Sequence, residues 1–221
     1  MKKILFLSIL SFHAHAVSVG DITSIIDSNE VILVKEIENT TPVARYIGLK
    51  IEKITSPTAE GKVIPLNSNE ILSTPSGLVL PGNGKDIFRI IYNGPQDNQE
   101  RYYRLSWLDA PISSARDSTA DKAALATTSA IINTILVVSP RQDKFDYIYE
   151  GGTVKNLGNV SFRIVAAGEC LDPSKDIENK GCRERYYVMP GKSVSLKYTD
   201  WKSSKTHLGI WYNGKYINAN K

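Results

Sequence analysis

The chain has 221 residues, a formal net charge of +4, 42% hydrophobic residues and 23% charged residues. An export signal carries away Lys2 and Lys3 and leaves +2, so no basic surplus points to nucleic acid. No later apolar run reaches the ~18 residues of a membrane-spanning helix, which excludes membrane insertion of that kind.

Residues 1–16 read as that secretory signal. Lys2 and Lys3 form a basic start, Ile4–Phe12 an apolar stretch, and Ala14-His15-Ala16 a small-x-small cleavage site, so export with cleavage near Ala16 is expected. The remaining ~205 residues suit two domains of about 100 each. The predicted division is 17–140 and 141–221.

Short strands separated by turn residues follow. Asp21–Ile26 ends at Asp27-Ser28-Asn29, and Val31–Glu38 ends at Asn39-Thr40-Thr41-Pro42. Arg45–Lys53 has the cleanest period-two alternation, with Ile47, Leu49 and Ile51 inward. Weaker strands are predicted at Lys62–Leu66 and Gly77–Leu80. Asp86–Tyr92 alternates again, with Phe88, Ile90 and Tyr92 on one face, and Arg101–Leu108 is an aromatic-rich strand. A loop is expected from Asp109 to Asp121.

The stretch Lys122–Pro140, KAALATTSAIINTILVVSP, is the longest uncharged run outside the N-terminus. It begins with small and hydroxylated residues and ends β-branched, before Pro140 and the charged Arg141. Val, Ile and Thr favour a pleated strand, and proline does not continue a central ladder. It is predicted to be a long strand closing the first domain. A second, smaller set of strands is predicted at Phe145–Tyr149, Thr153–Asn156, Val160–Ala166 and Arg185–Val188. It continues through Val194, Leu196 and Tyr198 and ends in a hairpin turning at Asn213-Gly214. The fold class is all-β, with strand spacing that fits β-sandwiches, and no stretch reads as a helix.

Cys170 and Cys182 are the only cysteines, and an even pair in an exported chain reads as a disulfide. His207 is the one histidine left after export, which leaves a metal site without ligands and a nucleophilic triad without a base. No catalytic residue, metal or cofactor is assigned. A carbohydrate-active enzyme on this scaffold would need clustered carboxylates, and no spacing singles out a pair. A binding role has more support: an extended, uncharged strand can add to another protein's sheet edge. Arg45, Arg89, Arg101, Arg104 and Arg141 lie near strand ends, where arginine can grip a carboxylate in a two-point contact.

Several segments together resemble the periplasmic chaperones of the chaperone–usher pilus pathway. They are the signal, ERYYRLSWLDAP at Glu100–Pro111, SAIINTILVVSPRQ at Ser129–Gln142, RYYVMPGKSVSL at Arg185–Leu196, and the C-terminal cysteine pair. The likeness runs over the whole mature chain and is greatest to the alternate, or alpha, class of the Escherichia coli common pilus type. It implies two immunoglobulin-like β-sandwich domains in a boomerang arrangement, and a last N-terminal strand, Ala124–Val138, lent to an incomplete pilin subunit. The implied partners are pilin subunits and an outer-membrane usher, in the periplasm. The residues expected to carry pilin binding are Ala126, Thr128, Ala130, Ile131, Ile132 and Ile135. Both faces of the strand are uncharged, so which one enters the pilin stays open.

Better-known members of that pathway hold the subunit's terminal carboxylate with an arginine on the first strand and a lysine on the lent strand. Here Ile135 stands at the lysine position, and Thr23 and Ser24 occupy the first strand. Arg104 and Arg141 are the replacement candidates. The alternative to a chaperone is a structural pilus subunit or two-domain adhesin, but Val17–Ile26 is short and polar for a subunit's donor extension.

Overall fold

The computed structural model describes residues 17–112, 129–176 and 179–219. The export signal, Ala126 and Thr128 lie outside the described residues. β1 (Val17–Ser18) and β2 (Thr23–Ile26) are separated by Gly20, whose φ of +67° is a left-handed conformation that glycine adopts readily. β3 (Ile32–Asn39), β4 (Arg45–Ile54), β5 (Val63–Ile64), β6 (Ile71–Thr74), β7 (Gly77–Leu80), β8 (Lys85–Tyr92), β9 (Arg101–Pro111) and β10 (Ala130–Val138) complete the N-terminal sandwich. Its first sheet runs β1-β3-β8-β6; its second runs β2-β10-β9-β4-β5, with β7 also on β4. The chain therefore switches sheets between β1 and β2. Buried Lys35 ties that crossing down, its Nζ donating to the Asp21 carbonyl at 2.6 Å and to Ser24 Oγ at 3.0 Å. Burial holds the Lys35 ammonium below the usual lysine range.

Most of the residues predicted inward are buried in the core, while Leu49 and Ile51 are half-buried and pack against it. Ile47, Phe88, Ile90 and Tyr92 are buried with Trp107, Tyr103, Leu105 and Leu136. Phe88 meets Trp107 edge-on at 5.2 Å, and the indole N–H donates to Thr134 Oγ1 at 3.0 Å, so this buried polar tip is satisfied.

Two boundaries differ from expectation. β6 lies where no strand is predicted: its four residues carry too little pattern. It is fixed instead by Glu70 just before it, which is buried against Lys53 Nζ and the Tyr103 hydroxyl, each at 2.6 Å. β9 also runs past Leu108 to Pro111, into the expected loop. Its extension pairs with β4, and buried Asp109 forms an ion pair with Arg45.

The C-terminal sandwich holds β11 (Tyr147–Glu150), β12 (Thr153–Asn156), β13 (Phe162–Gly168), β14 (Cys182–Val188), β15 (Ser193–Ser195), β16 (His207–Tyr212) and β17 (Lys215–Asn218). Its sheets are β11-β12-β15 and β14-β13-β16-β17. The predicted hairpin is present, with Asn213 and Gly214 at φ of +50° and +69°. Phe145, Tyr147, Phe162 and Tyr212 form an aromatic cluster in its core. Cys170 and Cys182 are disulfide-bonded and close a loop in which the Asp172 side chain starts a 3₁₀ turn, Pro173–Lys175. Among the described residues no helix is long and apolar enough to cross a membrane, and no cluster of three metal-ligating side chains occurs.

Candidate functional site

β10 has two halves in different environments. Val138 back to Ile135 is held on both sides, antiparallel to β9 and parallel to β2. Among the described residues Ala130 to Thr134 pairs with β9 alone, so the other side of that half is an open sheet edge. The Ile135 N–H donates to the Ile22 carbonyl at 2.8 Å, away from β9. Backbone groups alternate sides along a strand, so the N–H groups of Asn133 and Ile131 point the same way, into the open edge. An open edge of this kind is a template for another strand.

The side chains divide as sharply. Thr134, Leu136 and Val138 face the core, and Ile132 packs against it in the same phase. Ile131, Asn133, Ile135 and Val137 occupy the opposite face. Register places them beside Leu108, Ser106, Arg104 and Tyr102 of β9. Asn133 Oδ1 accepts from Ser106 Oγ at 2.8 Å. Ile131 is 66% exposed, an isoleucine in water next to exposed Leu108. Ala130 is exposed at the start of the strand. Of the six residues predicted on the lent strand, the structure therefore sets Ile131 and Ile135 on the outer face and turns Ile132 toward its own core.

The lower part of this face forms one wall of a cleft of about 450 Å³ between the sandwiches. Ile25, Ile135 and Val137 line one side and Val160, Tyr187 and Met189 the other, with the carboxylates of Asp27, Glu100 and Asp143 around them. Glu100 holds the junction together. It accepts from the Ser161 N–H at 2.7 Å, from Ser161 Oγ, and from the Tyr102 hydroxyl at 2.6 Å. Burial and the Glu100 charge push the Tyr102 hydroxyl well above its usual range. Asn159 Nδ2 adds a bond to the Asn98 carbonyl at 3.1 Å. On the other flank the Tyr212 hydroxyl donates to Asp143 at 2.6 Å and holds that carboxyl below its ordinary value. Asp27 is raised by burial and by repulsion from Glu30 and Asp143.

The two candidate arginines are in different situations. Arg104 lies on the outer face beside Ile135 and Glu52, with one long bond from Nη2 to the Gly61 carbonyl at 3.4 Å. Arg141 is a backbone clamp. Its Nη1 donates to the carbonyls of Asp27, Ser28 and Glu30 at 3.2, 2.9 and 2.5 Å, and its guanidinium sits 5.4 Å from the Tyr92 ring centre. The sequence reading missed Glu100, Ser161, Tyr187 and Met189 as cleft residues. Glu100 does open the ERYY strand, but its partner lies 61 residues away.

A probable fimbrial chaperone, EcpB, of Escherichia coli O157:H7 is 41% identical over 222 residues, covering 98% of this chain and 99% of its own. The chain belongs to the EcpB family of fimbrial chaperones. The EcpB of Klebsiella pneumoniae strain 342 is likewise 41% identical, over 92% of this chain and 91% of its own length. The family model for the EcpB C-terminal domain matches residues 145–219. This EcpB-family chain is also similar in fold to the class 5 fimbriae chaperone CfaA, with a TM-score of 0.56 at 14% identity over 92% of this chain and 97% of that one. The Salmonella enterica SafA pilin–SafB chaperone complex gives a TM-score of 0.54 at 14% identity, covering 90% of this chain and 91% of the matched one. The all-β architecture is that of fimbrial chaperones, two immunoglobulin-like sandwiches.

Proposed function

We propose that this EcpB-family chaperone lends the open edge of β10 to an incomplete pilin subunit in the periplasm, capping it until an outer-membrane usher takes it. The observation that carries this reading is the split character of β10. Its second half is rooted in the core through Leu136 and Val138, while its first half offers an unpaired backbone edge and the exposed side chain of Ile131. Main-chain bonds along such an edge give affinity, and alternate side chains fill pockets in the partner; pilin–chaperone pairs are a standard case of this mode. A structurally similar chaperone, SafB, is held in a complex with the SafA pilin.

In this reading Ile131 and Ile135 enter or border the pilin groove. Ala126, Thr128 and Ala130 carry the strand along the partner with small side chains, and Ile132 holds it to the chaperone. Arg104, on the outer face beside Ile135, is the cation offered to a subunit carboxylate, whereas Arg141 fixes the junction. Residues 1–16 act as the export signal, and the domains divide at 17–140 and 141–221. Co-expression with a fimbrial pilin subunit from the same organism tests the reading. Ile131→Arg sets a charge on the groove-facing side, and the subunit is then lost from periplasmic extracts. Undiminished subunit in that strain would overturn the proposal.

A further inference from the structure

The outer face of the β14-β13-β16-β17 sheet carries a row of side chains that nothing in the C-terminal sandwich uses. Register aligns Tyr187, Arg163, Trp211 and Tyr216 straight across the four strands. Tyr187, Trp211 and Tyr216 are 56%, 40% and 54% exposed. Trp211 and Tyr216 meet edge-on at 5.5 Å, and the Arg163 guanidinium sits 5.7 Å from the Trp211 ring centre. This row is pre-shaped: the Trp211 and Tyr216 rings buttress one another, and the Arg163 cation rests over the indole.

Its charge is unbalanced. Arg163, Arg185 and Arg183 all project from this face, and among the described residues none of the three has an ion pair with a carboxylate. The Arg163 Nε is buried and has no acceptor. Two other half-buried arginines are paired with carboxylates, Arg45 with Asp109 and Arg101 with Asp97. The face is also continuous with the proposed site. Arg163, Arg185 and Tyr187 form one side of a pocket of about 470 Å³, and Asp21, Ile22 and Thr23, leading into β2, form the other. Tyr187 lines both this pocket and the cleft below β10.

We propose that this face is a second docking surface for the same pilin subunit, and that it takes an acidic segment of that subunit. The inference rests on the reading of β10 above. A subunit seated on the open edge is led along the cleft toward Tyr187. Carboxylates on its flank would meet the guanidinium groups of Arg163 and Arg185, while its apolar atoms cover the tyrosine and tryptophan faces. Aromatic and arginine side chains together are the usual anchors of protein interfaces. The arginines set which subunits are accepted and how fast they arrive, more than they set the depth of binding.

The test uses the full-length chaperone and a purified fimbrial pilin subunit from the same organism. Benzoylphenylalanine in place of Tyr187 should photocross-link to the bound subunit. The double variant Arg163→Glu, Arg185→Glu should bind at least ~10-fold more weakly at low salt, with a flatter salt dependence than the wild type. A thermal melt checks its folding, and Arg163→Gln with Arg185→Gln repeats the measurement without charge reversal. Ile131→Arg is run in parallel. If Ile131→Arg abolishes binding while the arginine variants bind as wild type and Tyr187 gives no cross-link, the second surface is refuted and the β10 reading stands. If Ile131→Arg binds normally while the arginine variants do not, the β10 reading falls and the surface stands. A wild type that retains no subunit overturns both.

Discussion

Ile131 and Leu136 lie five residues apart on one strand, and the structure gives them opposite jobs. Complete burial of an isoleucine contributes about 1.5–3 kcal/mol. With Ile131 still 66% exposed in the free chaperone, about 1–2 kcal/mol of that remains to be gained when a subunit covers it. Ile131→Ala should therefore weaken binding by about 5- to 30-fold, at 1.4 kcal/mol per factor of ten. The same change should move the chaperone's own stability by less than about 0.5 kcal/mol, as for other surface positions. Leu136 is fully buried, so Leu136→Ala should cost about 2–5 kcal/mol of folding stability while leaving affinity nearly unchanged at temperatures where the variant is folded. Titration calorimetry with purified subunit and thermal melts of the free chaperone read the two quantities separately. Affinity of Ile131→Ala within twofold of wild type would refute the reasoning, as would a large fall in its melting temperature.

Other parts of the molecule give independent tests. Buried Glu184 accepts from the backbone N–H groups of Lys197, Tyr198 and Thr199 and from the Tyr186 hydroxyl. Burial alone would raise its carboxyl, but these bonds outweigh it and hold the group below the usual range. Its contribution is thus complete above the unfolded glutamate value of about 4.3 and lost as pH falls through the lower folded value. Glu184→Gln should cost about 1–3 kcal/mol at neutral pH and flatten the acid side of the stability profile in urea titrations. Cys170 and Cys182 are separated by 12 positions, and replacing both with serine should cost roughly 3 kcal/mol by the loop-closure argument, measured as a lower urea midpoint. Glu100→Ala removes the acceptor that the Ser161 N–H and hydroxyl reach across the junction. It should broaden the range of relative orientations of the two sandwiches in small-angle scattering, and an unchanged profile would contradict the role assigned to Glu100.

What was legible in the sequence followed physical pattern. Ile47, Phe88, Ile90, Phe162 and Ile164 fall at every second position of their strands, so their burial could be read from period alone. β6 was not legible, because Ile71–Thr74 is too short to show a period and depends on Glu70 meeting Lys53 and Tyr103 from distant strands. The phase of β10 was hidden for a different reason: Ile131 and Ile132 are chemically alike, so only the packing under Ile132 distinguishes them. Arg141 shows the limit of reading charge. Its spacing suits an ion pair, yet in the fold it grips three backbone carbonyls. The cleft joins residues such as Glu100 and Ser161 that no local pattern connects.

The central claim is that the open edge of β10 becomes a paired strand when a pilin subunit binds. Amide hydrogen exchange at Ile131 and Asn133, followed by NMR in the free chaperone and in its complex, reads this most directly. The account predicts rapid exchange at both amides in the free protein, where no strand among the described residues covers them, and strong protection of both in the complex, with Leu136 protected throughout. Unchanged rapid exchange at Ile131 and Asn133 in a saturated complex would contradict it.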